Sequence, residues 1–271
     1  MHKTAFGLNT NGSSNPEELH RLLTGSVMLR RKKADVLKEL PAKIISVVPM
    51  EIVNRTEYNK ANNDFIDYIR RTRGVEAAER ASRAEQLGKV EALKQIAIQG
   101  KIKAVINWIR TTLEVQNKLV VFAWHTNIID KILAEFPNIS VRYDGTVSET
   151  KKEEAKEAFQ NDQKIELFVG NIKAAGLGLT LTAASQVAFV ELPWTPSDLD
   201  QCSDRLHRIG QKDVVNVHYL IAEDTVEERI ANIIDQKRVV IDAIIDGKTT
   251  EKFDLLTELI NSYIEDTEYN Q

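Results

Sequence analysis

The sequence predicts an α/β fold with a mostly parallel β-sheet, and two observations support this prediction. From about Lys101 onward, short apolar segments rich in β-branched residues alternate with amphipathic segments of helical period. Strands separated by helices are typical of right-handed crossovers, which make neighbouring strands parallel. In addition, the segments 119–122 and 188–190 are apolar on both faces. Strands covered by helices on both sides have this composition.

The chain before the predicted sheet is expected to be largely helical. Residues 1–16 are polar and turn-rich, so we expect a flexible N-terminus. Residues 17–100 are predicted to form a helical linker or protrusion. This region begins with a helix over 17–40 and includes a β-branched segment, Ile44–Val53, that is predicted to be a strand. The rest of the region is charged and favours helix.

Residues 101–223 form the predicted sheet domain, and residues 224–271 are predicted to be helices that brace it. The predicted strands are Leu119–Ala123, Ser140–Tyr143, Ile165–Val169, Val187–Leu192 and Val215–Ile221, and the predicted helices span 101–115, 126–136, 148–160 and 197–208. Ser148, Thr195-Pro196, and Asp224 with Glu227 are predicted helix starts. The first bracing helix carries an apolar face of Val226, Ile230, Ile233, Ile234, Val240, Ile241, Ile244 and Ile245, and a last acidic helix is predicted over 251–264.

The composition is that of an ordinary globular protein, with 42% hydrophobic and 28% charged residues. No apolar run approaches the roughly 18–20 residues of a membrane span, and no charged-then-apolar leader opens the chain. We therefore expect a protein of the cytosol, nucleoid or nucleus, with no membrane partner and no secretion. The single cysteine, Cys202, excludes an intramolecular disulfide and a cysteine zinc cluster, and no metal ligands are predicted. The net charge of −4 disfavours bulk coating of nucleic acid but allows a narrow basic groove.

The segment from Gln201 to Gln211 holds the most informative charge pattern. On a helix, Gln201, Arg205 and Arg208 would lie at i, i+4 and i+7 on one stripe, and Gly210 would end the helix. Two guanidinium groups on one face suit a phosphate or a carboxylate. The alternative is a solvated face on which Asp204 balances the charge, and the spacing alone does not decide between the two.

Two further segments follow predicted strands. In Ala174–Gln186, Gly176 and Gly178 would let the backbone approach a ligand closely, and Thr180 and Thr182 offer hydroxyl groups to phosphate oxygens. The alternative for this segment is tight strand–helix packing.

The other segment is Val141–Ser148, in which a strand ends at Asp144-Gly145. Ligands of open α/β sheets bind at the carboxyl ends of strands. The convergence of three such segments therefore predicts a binding site at that edge.

These segments resemble the motifs of the Swi2/Snf2 family of helicase superfamily 2, and they occur along the chain in the same order as in that family. The segment QCSDRLHRIGQ resembles motif VI, AAGLGLTLTAA resembles motif V, RYDG with Ser148 resembles motif IVa, and VVFAWHTNIID resembles motif IV. Upstream, MLRRKKADVLKELPAK resembles the segment that leads into the family's second lobe. The resemblance spans roughly residues 19–240. The sequences of these motifs most resemble the distant branch of the family that includes annealing helicases and bacterial members.

The resemblance implies a RecA-like second ATPase lobe of a double-stranded DNA translocase. Its motif VI arginines are fingers that reach the phosphates of ATP across the cleft between the lobes. Carried over residue by residue, it implies catalytic roles for Arg205 and Arg208, ATP binding by Gln201, Gly176 and Gly178, and DNA binding by Asp144, Gly145, Thr180, Thr182 and Lys173.

The first lobe's motifs are not found in this sequence. A GxxxxGK[ST] phosphate loop is lacking, because Asp242 stands where the segment Asp246–Thr249 would need its earlier glycine. The resemblance therefore implies that ATP and Mg²⁺ are bound mainly by an N-terminal RecA-like lobe of the same protein, and that this chain alone hydrolyses ATP negligibly.

Two other functions stay open from the sequence. One is the second lobe of a conventional superfamily 2 unwinding helicase, which the RIGQ ending disfavours. The other is a non-catalytic module that binds nucleic acid or protein, which the arginine pair disfavours. His125 and His207 are predicted to be packed or surface histidines, since no second ligand stands at metal-binding spacing from either.

Overall fold

A computed structural model of the chain describes residues 3–4, 7–8, 16–26, 33–72, 79–176, 178–245 and 255–269. Among these residues, no helix is both long and apolar enough to cross a membrane. The strands are β1 (Lys3–Thr4), β2 (Gly7–Leu8), β3 (Lys43–Met50), β4 (Leu119–Ala123), β5 (Ser140–Tyr143), β6 (Leu167–Asn171), β7 (Gln186–Phe189) and β8 (Val215–Ala222). The helices are α1 (Pro16–Ser26), α2 (Lys33–Val36), α3 (Arg55–Thr72), α4 (Glu79–Val115), α5 (Thr126–Glu135), α6 (Glu149–Asn161), α7 (Pro196–Ser203), α8 (Val226–Ile245) and α9 (Leu255–Tyr269).

The main sheet has six strands in the order β3-β8-β7-β4-β6-β5, and every neighbouring pair is parallel. This arrangement confirms the predicted α/β fold with a mostly parallel sheet. β1 and β2 form a separate antiparallel pair. Because the chain passes from β4 to β5 on one side and from β7 to β8 on the other, the connections at the carboxyl ends of β4 and β7 diverge, and such a switch point opens a crevice between them.

The strand predictions are confirmed in place, with shifts at some ends. β4 and β5 have the predicted bounds, whereas β6 begins two residues later than the predicted Ile165–Val169. The reason is a turn, in which the Ile165 N–H donates to the Asp162 carbonyl (3.2 Å). β7 ends earlier than the predicted Val187–Leu192, although the Val190 N–H still donates to the Phe122 carbonyl (2.9 Å).

The strand predicted near the N-terminus joins the main sheet. β3 runs parallel to β8 over its whole length and forms one edge of the sheet. α4 is continuous through residues 100 and 101, where the sequence suggests a boundary. The division of the chain into four regions stays a prediction. The helix predicted over 17–40 corresponds to α1 and α2, and residues 27–32 between them lie outside the described part of the chain.

The core occupies both faces of the sheet. Val120 and Phe122 of β4 belong to one buried cluster, which is covered by α3, α4, α6, α8 and α9. Leu119 and Val121 belong to the other cluster, which α4 and α5 cover. Because successive side chains of a strand point to opposite faces, β4 contributes to both clusters. This explains why its sequence is apolar throughout, as the prediction required.

A buried ion pair joins α4, β8 and α8. The Lys101 ammonium lies 2.5 Å from Glu227 Oε2 and donates to the Leu220 carbonyl (2.5 Å). The same carboxylate oxygen accepts the Ala222 N–H (2.9 Å). The Lys101 side chain is 0% exposed and that of Glu227 is 4% exposed. Removal of either partner would therefore leave an uncompensated buried charge.

The start of α8 differs from the predicted cap of Asp224 with Glu227. Thr225 Oγ1 accepts the Glu227 N–H (3.2 Å), and Glu228 accepts the Asp224 N–H (3.1 Å). The predicted cap is wrong by one residue, because the Glu227 carboxylate bonds to Lys101 instead.

The two C-terminal helices pack on the rest of the fold, as predicted. Val226, Ile230, Ile233 and Ile234 of α8 are buried, as are Leu255, Leu256 and Leu259 of α9. The side chains of Val240, Ile241, Ile244 and Ile245 lie outside the described ones, and so does the segment 246–254. α9 extends beyond the predicted end at residue 264.

Candidate nucleotide and nucleic-acid site

The two predicted arginine fingers lie on an irregular loop, which we call the arginine loop, Ser203–Gln211. The helix predicted over 197–208 is wrong beyond Ser203, where α7 ends. The Arg205 N–H donates to the Cys202 carbonyl (3.1 Å) and the Leu206 N–H to the Ser203 carbonyl (3.1 Å), so the chain tightens into turns with i to i−3 bonds. The predicted stripe on one helix face therefore does not exist, and Gly210 does not end a helix.

The arginine loop packs against the glycine-rich loop, Ala174–Ser185. The Leu181 N–H donates to the Arg205 carbonyl (2.9 Å), so a backbone hydrogen bond joins the two loops. Arg205 Nε donates to the Ala175 carbonyl (3.1 Å). Arg208 Nη1 donates to Thr180 Oγ1 (3.1 Å) and reaches the Leu179 carbonyl (3.4 Å). The structure thus brings the predicted arginines together with the predicted glycine-rich segment.

Glycine is required once in each of these two loops. Gly178 has φ +64° and Gly210 has φ +100°. Other residues reach these left-handed values only at a steric cost, whereas glycine has no Cβ to oppose them. These two glycines therefore set the paths of the glycine-rich and arginine loops.

A buried amide, Gln211, ties the two loops together. Its Nε2 donates to the carbonyls of Ala184 (2.8 Å) and Leu206 (3.3 Å). Its Oε1 accepts the N–H groups of Lys212 (2.9 Å) and Asp213 (3.0 Å). Sequence reasoning assigned no role to Gln211. A glutamine directly after a loop glycine signals nothing specific without the carbonyl groups of the other loop.

The other residues singled out in α7 and the glycine-rich loop have more peripheral places. Gln201 is exposed on α7. Gly176 ends a short 3₁₀ turn, Ala174–Gly176, at the start of the glycine-rich loop. Thr182 Oγ1 accepts a bond from Gln160 (3.4 Å), which connects this loop to α6. Thr195 precedes α7 as predicted, with Pro196 at its start, but the Thr195 hydroxyl donates to Asp198 (2.6 Å) and does not cap the backbone.

The alternative interpretation required Asp204 to balance the charge of the arginines, but Asp204 pairs with two lysines instead. Its carboxylate lies 2.6 Å from Lys33 Nζ and 3.1 Å from Lys43 Nζ. Burial acts to raise the pKa of this carboxyl group, but the two ammonium groups outweigh burial and hold the pKa below its usual range. The negative charge next to Arg205 is therefore neutralised from outside the arginine loop.

The predicted motif IVa residues lie at the end of β5. Asp144 is buried, and Arg142 Nη2 (2.6 Å) and the Thr146 N–H (2.8 Å) bind its carboxylate. Burial works to raise the pKa of Asp144, but these partners hold it below its usual range. The Asp144 side chain thus anchors the turn, and Gly145 is exposed beside it. Ser148 caps α6 as predicted, since its side chain accepts the Lys151 N–H (3.4 Å).

Lys173 lies in the loop after β6, next to the loop after β4. Its ammonium is 4.6 Å from the centre of the Trp124 ring. Asn171 fixes both loops, because its amide donates to the Trp124 carbonyl (2.6 Å) and accepts the Lys173 N–H (3.0 Å). Lys173 is exposed, so its positive charge is available to an anionic ligand at the carboxyl end of the sheet.

A histidine–carboxylate pair occupies the switch point between β4 and β7. Glu191, buried at 4% exposure, accepts the backbone N–H groups of Trp124 (2.7 Å) and His125 (2.9 Å). His125 Nδ1 lies 2.5 Å from Glu191 Oε1, and Gln95 Nε2 of α4 lies 2.8 Å from His125 Nε2. His125 is therefore a packed histidine, as predicted.

The two pKa values of this pair shift in opposite directions. The hydrogen bond that His125 donates to Glu191 raises the pKa of His125 above 6.5, helped by the charge of Glu91 and opposed by burial and by Lys94. Burial acts to raise the pKa of Glu191, but His125 and the two backbone N–H groups lower it below 4.5 overall. The pair thus consists of an imidazolium and a carboxylate at mildly acidic pH.

We expect the pair to make stability depend on pH. A raised histidine pKa gives stability that is complete below 6.5 and lost as the pH rises through the folded-state pKa of His125. The Glu191 contribution is complete above 4.5 and is lost only in more acidic solution. We would measure the free energy of unfolding by urea for the native chain and for His125→Gln. The difference between the two should therefore be largest between pH 4.5 and pH 6.5 and should disappear at higher pH. A difference that stays constant up to pH 9 would contradict this assignment, and the variant itself controls for the other histidines.

Other chemistry is not supported in the described part of the chain. Within it, no group of three or more His, Cys, Asp or Glu side chains could hold a metal ion. Burial raises the pKa of the Cys202 thiol to about 12, and the thiol donates to the Ile172 carbonyl (3.4 Å). A buried, protonated thiol is not a nucleophile.

Comparisons with known proteins give these loops a context. Residues 100–210 match the family model of the helicase conserved C-terminal domain. The chain is 35% identical over 244 residues to the human DNA annealing helicase and endonuclease ZRANB3. The aligned residues cover 88% of this chain and 22% of that protein. It is 33% identical over 272 residues to the Xenopus tropicalis SWI/SNF-related matrix-associated actin-dependent regulator of chromatin subfamily A-like protein 1, which covers 96% of this chain and 27% of that protein.

Solved structures agree with these relatives. The Sulfolobus solfataricus SWI2/SNF2 ATPase core in complex with double-stranded DNA superimposes with a TM-score of 0.60 and 26% identity, over 85% of this chain and 52% of that one. The C-terminal part of the Fun30 ATPase domain has a TM-score of 0.65 over 85% of this chain and 99% of that one, and at 17% identity it shows the fold alone. This chain spans only about a quarter of the length of its two curated relatives.

Proposed function

The chain is a C-terminal RecA-like lobe of the Swi2/Snf2 type within helicase superfamily 2, and from this premise we propose that it is the second ATPase lobe of a translocase on double-stranded DNA. The observation that carries the proposal is the position of Arg205 and Arg208, whose side chains both bond to the glycine-rich loop. Both project from a loop that is bonded to the glycine-rich loop. This loop leads into the amino end of β8 and contacts Lys43 at the amino end of β3, so two permanently charged guanidinium groups stand together beside a glycine-rich backbone.

In this proposal, Arg205 and Arg208 stabilise the negative charge that develops on the phosphates of ATP. Guanidinium groups suit this task, because they stay charged and bind phosphate oxygens in a fixed fork geometry. Gln201 on α7 and Gly176 and Gly178 of the glycine-rich loop are proposed to contact the nucleotide. Their part is positioning, whereas the arginines supply charge.

The residues of this lobe do not fit Mg²⁺. The described part of the chain holds no cluster of carboxylates that could bind a cation, and the sequence has no phosphate loop. We infer that the first lobe holds Mg²⁺ and most of the triphosphate. When bound, Mg²⁺ neutralises phosphate charge. The part of this chain is to present its arginines to a nucleotide that the first lobe holds.

Double-stranded DNA is the proposed partner at the ends of β5 and β6. Lys173 is exposed there with its ammonium over Trp124, and Gly145 exposes backbone at the β5 turn. Thr180 and Thr182 are proposed to contact the DNA backbone from the glycine-rich loop, and the buried Asp144 holds its turn in shape. Double-stranded DNA is bound by the Sulfolobus ATPase core named above. The proposed place of action is accordingly the nucleus, or the cytosol and nucleoid of a bacterium.

The proposal is tested by measuring ATP hydrolysis by this chain alone and mixed with a first lobe of the same family, with and without double-stranded DNA. We expect negligible turnover by the chain alone, because the triphosphate charge is uncompensated. We expect turnover that double-stranded DNA stimulates on mixing. Robust turnover by the chain alone would contradict the assignment of the nucleotide to the first lobe. Stimulation by single-stranded DNA or RNA only would favour a conventional unwinding helicase.

A further inference from the structure

The arginine loop is held on its outer side by residues 33–43, which comprise α2, the connection after it and the first residue of β3. Lys33 Nζ donates to the His207 carbonyl (3.1 Å) and pairs with Asp204 (2.6 Å). Lys43 pairs with Asp204 (3.1 Å) and donates to Ser203 Oγ (3.3 Å). These contacts connect parts of the chain that are more than 150 residues apart in sequence.

A further hydrogen bond extends this attachment, and a shared cavity lies beyond it. The His207 imidazole Nε2 lies 2.7 Å from the Pro41 carbonyl, which only a protonated Nε2 can satisfy. Farther along, residues 36–40 and 209–211 face each other across a cavity of about 410 Å³. The segment 33–43 thus follows the arginine loop along most of its length.

The arginine loop needs such support because it lacks a regular hydrogen-bond ladder. Its backbone N–H groups donate to carbonyls two, three or four residues earlier, and its inner side rests on the Leu181 N–H and on Gln211. Asp204 directly precedes Arg205, and a carboxylate without a partner would compete with phosphate for the guanidinium group. Lys33 and Lys43 therefore act on both the shape and the charge of the loop.

We propose that Lys33 and Lys43 are positioning residues, which hold the arginine loop in shape and keep Asp204 away from the two arginines. The inference rests on the proposed function, since it assumes that the loop delivers Arg205 and Arg208 to ATP. Neither lysine touches ATP in this proposal. Each acts through Asp204 and the loop backbone.

The first test concerns the chain as it is and does not depend on activity. Hydrogen–deuterium exchange of the peptide 203–211 is compared between the native chain, Lys33→Met, and Lys33→Met with Lys43→Met. Exchange in this peptide should be faster in both variants and return toward the native rate in Lys33→Arg with Lys43→Arg. The control is Lys38→Met, on the same segment, because Lys38 is exposed and forms no ion pair with the described residues. Unchanged exchange in 203–211 would overturn the inference whatever the activity.

The second test uses a protein that carries both lobes. We expect kcat for ATP to fall roughly 10- to 100-fold in Lys33→Met with Lys43→Met, since small displacements of catalytic groups have effects of this size. KM for ATP should change little, because the lost interaction belongs to the transition state. The single variant Lys33→Met keeps the test valid if the double variant folds poorly.

The two tests separate the inference from the proposed function. Faster exchange with native turnover, in a protein that Arg208→Ala inactivates, would overturn the positioning role alone. Native turnover in Arg208→Ala would overturn the proposed function and the catalytic part of the inference with it. An equal loss of turnover in Lys38→Met would also overturn the inference, because any lost charge would then have the same effect.

Discussion

Replacing Arg208 by alanine in a protein that carries both lobes is expected to slow ATP hydrolysis by about 10³-fold or more, the usual range for an arginine finger. Arg208 is exposed in the arginine loop, and among the described residues Thr180 Oγ1 and the Leu179 carbonyl anchor its side chain. The loss should appear in kcat and not in stability, since these contacts are few and close to solvent. Arg208→Lys should recover little activity, because an ammonium group lacks the fork geometry.

The measurement is steady-state ATP turnover in the presence of double-stranded DNA, together with the melting temperature of each variant. The matched control is Arg110→Ala, which removes an exposed arginine of α4 that pairs with Glu135 (3.5 Å) away from the arginine loop. Turnover within about twofold of native for Arg208→Ala would identify the lobe as a non-catalytic module, as no transition-state interaction would have been lost.

The second large effect concerns stability, and it arises at the buried pair of Lys101 and Glu227. Lys101→Met should lower the free energy of unfolding by about 3–5 kcal/mol, because it leaves the Glu227 carboxylate buried without its counter-charge, with the Ala222 N–H as its remaining partner among the described residues. Lys101→Met combined with Glu227→Gln should recover most of this loss. The glutamine carbonyl is neutral and can still accept the Ala222 N–H.

Urea unfolding of the chain alone measures this effect, and the two single variants with the double variant form a thermodynamic cycle. Lys103→Met is the control, since Lys103 is exposed on the same helix, and a surface substitution should change stability by no more than about 0.5 kcal/mol. A loss in Lys101→Met no larger than in Lys103→Met would show that the pair contributes little. A double variant as unstable as Lys101→Met would show that the loss comes from packing and not from charge.

The sheet could be predicted from the sequence because its signals are local. β4 is apolar on both faces, and the helices around it have polar faces and recognisable starts such as Ser148. The edge position of β3 could not be predicted, because its partner β8 is distant in sequence and its own alternation fits any half-buried strand. Long-range strand pairing has no local signal.

The roles of the candidate site residues stay a prediction, and the helical geometry predicted for them is wrong. The spacing of Gln201, Arg205 and Arg208 fits a helix, yet the Arg205 carbonyl bonds to the Leu181 N–H and the helix ends at Ser203. Tertiary hydrogen bonds override helix propensity in such a case. The partners of Asp204 could not be predicted either, because Lys33 and Lys43 are distant from it in sequence and contact it in the folded chain.

The pairing of β3 with β8 has a consequence for how the chain folds. It joins residues about 172 positions apart, such as Ser46 and His218, and contacts of this range form slowly because a long loop must close first. During synthesis, β3 has no sheet partner until the ribosome has made β8. A segment limited to residues 100–210, which match the helicase C-terminal domain, contains neither strand and leaves β7 as an open apolar edge. Exposed edges of this kind invite aggregation, so the folding unit is longer than the conserved domain.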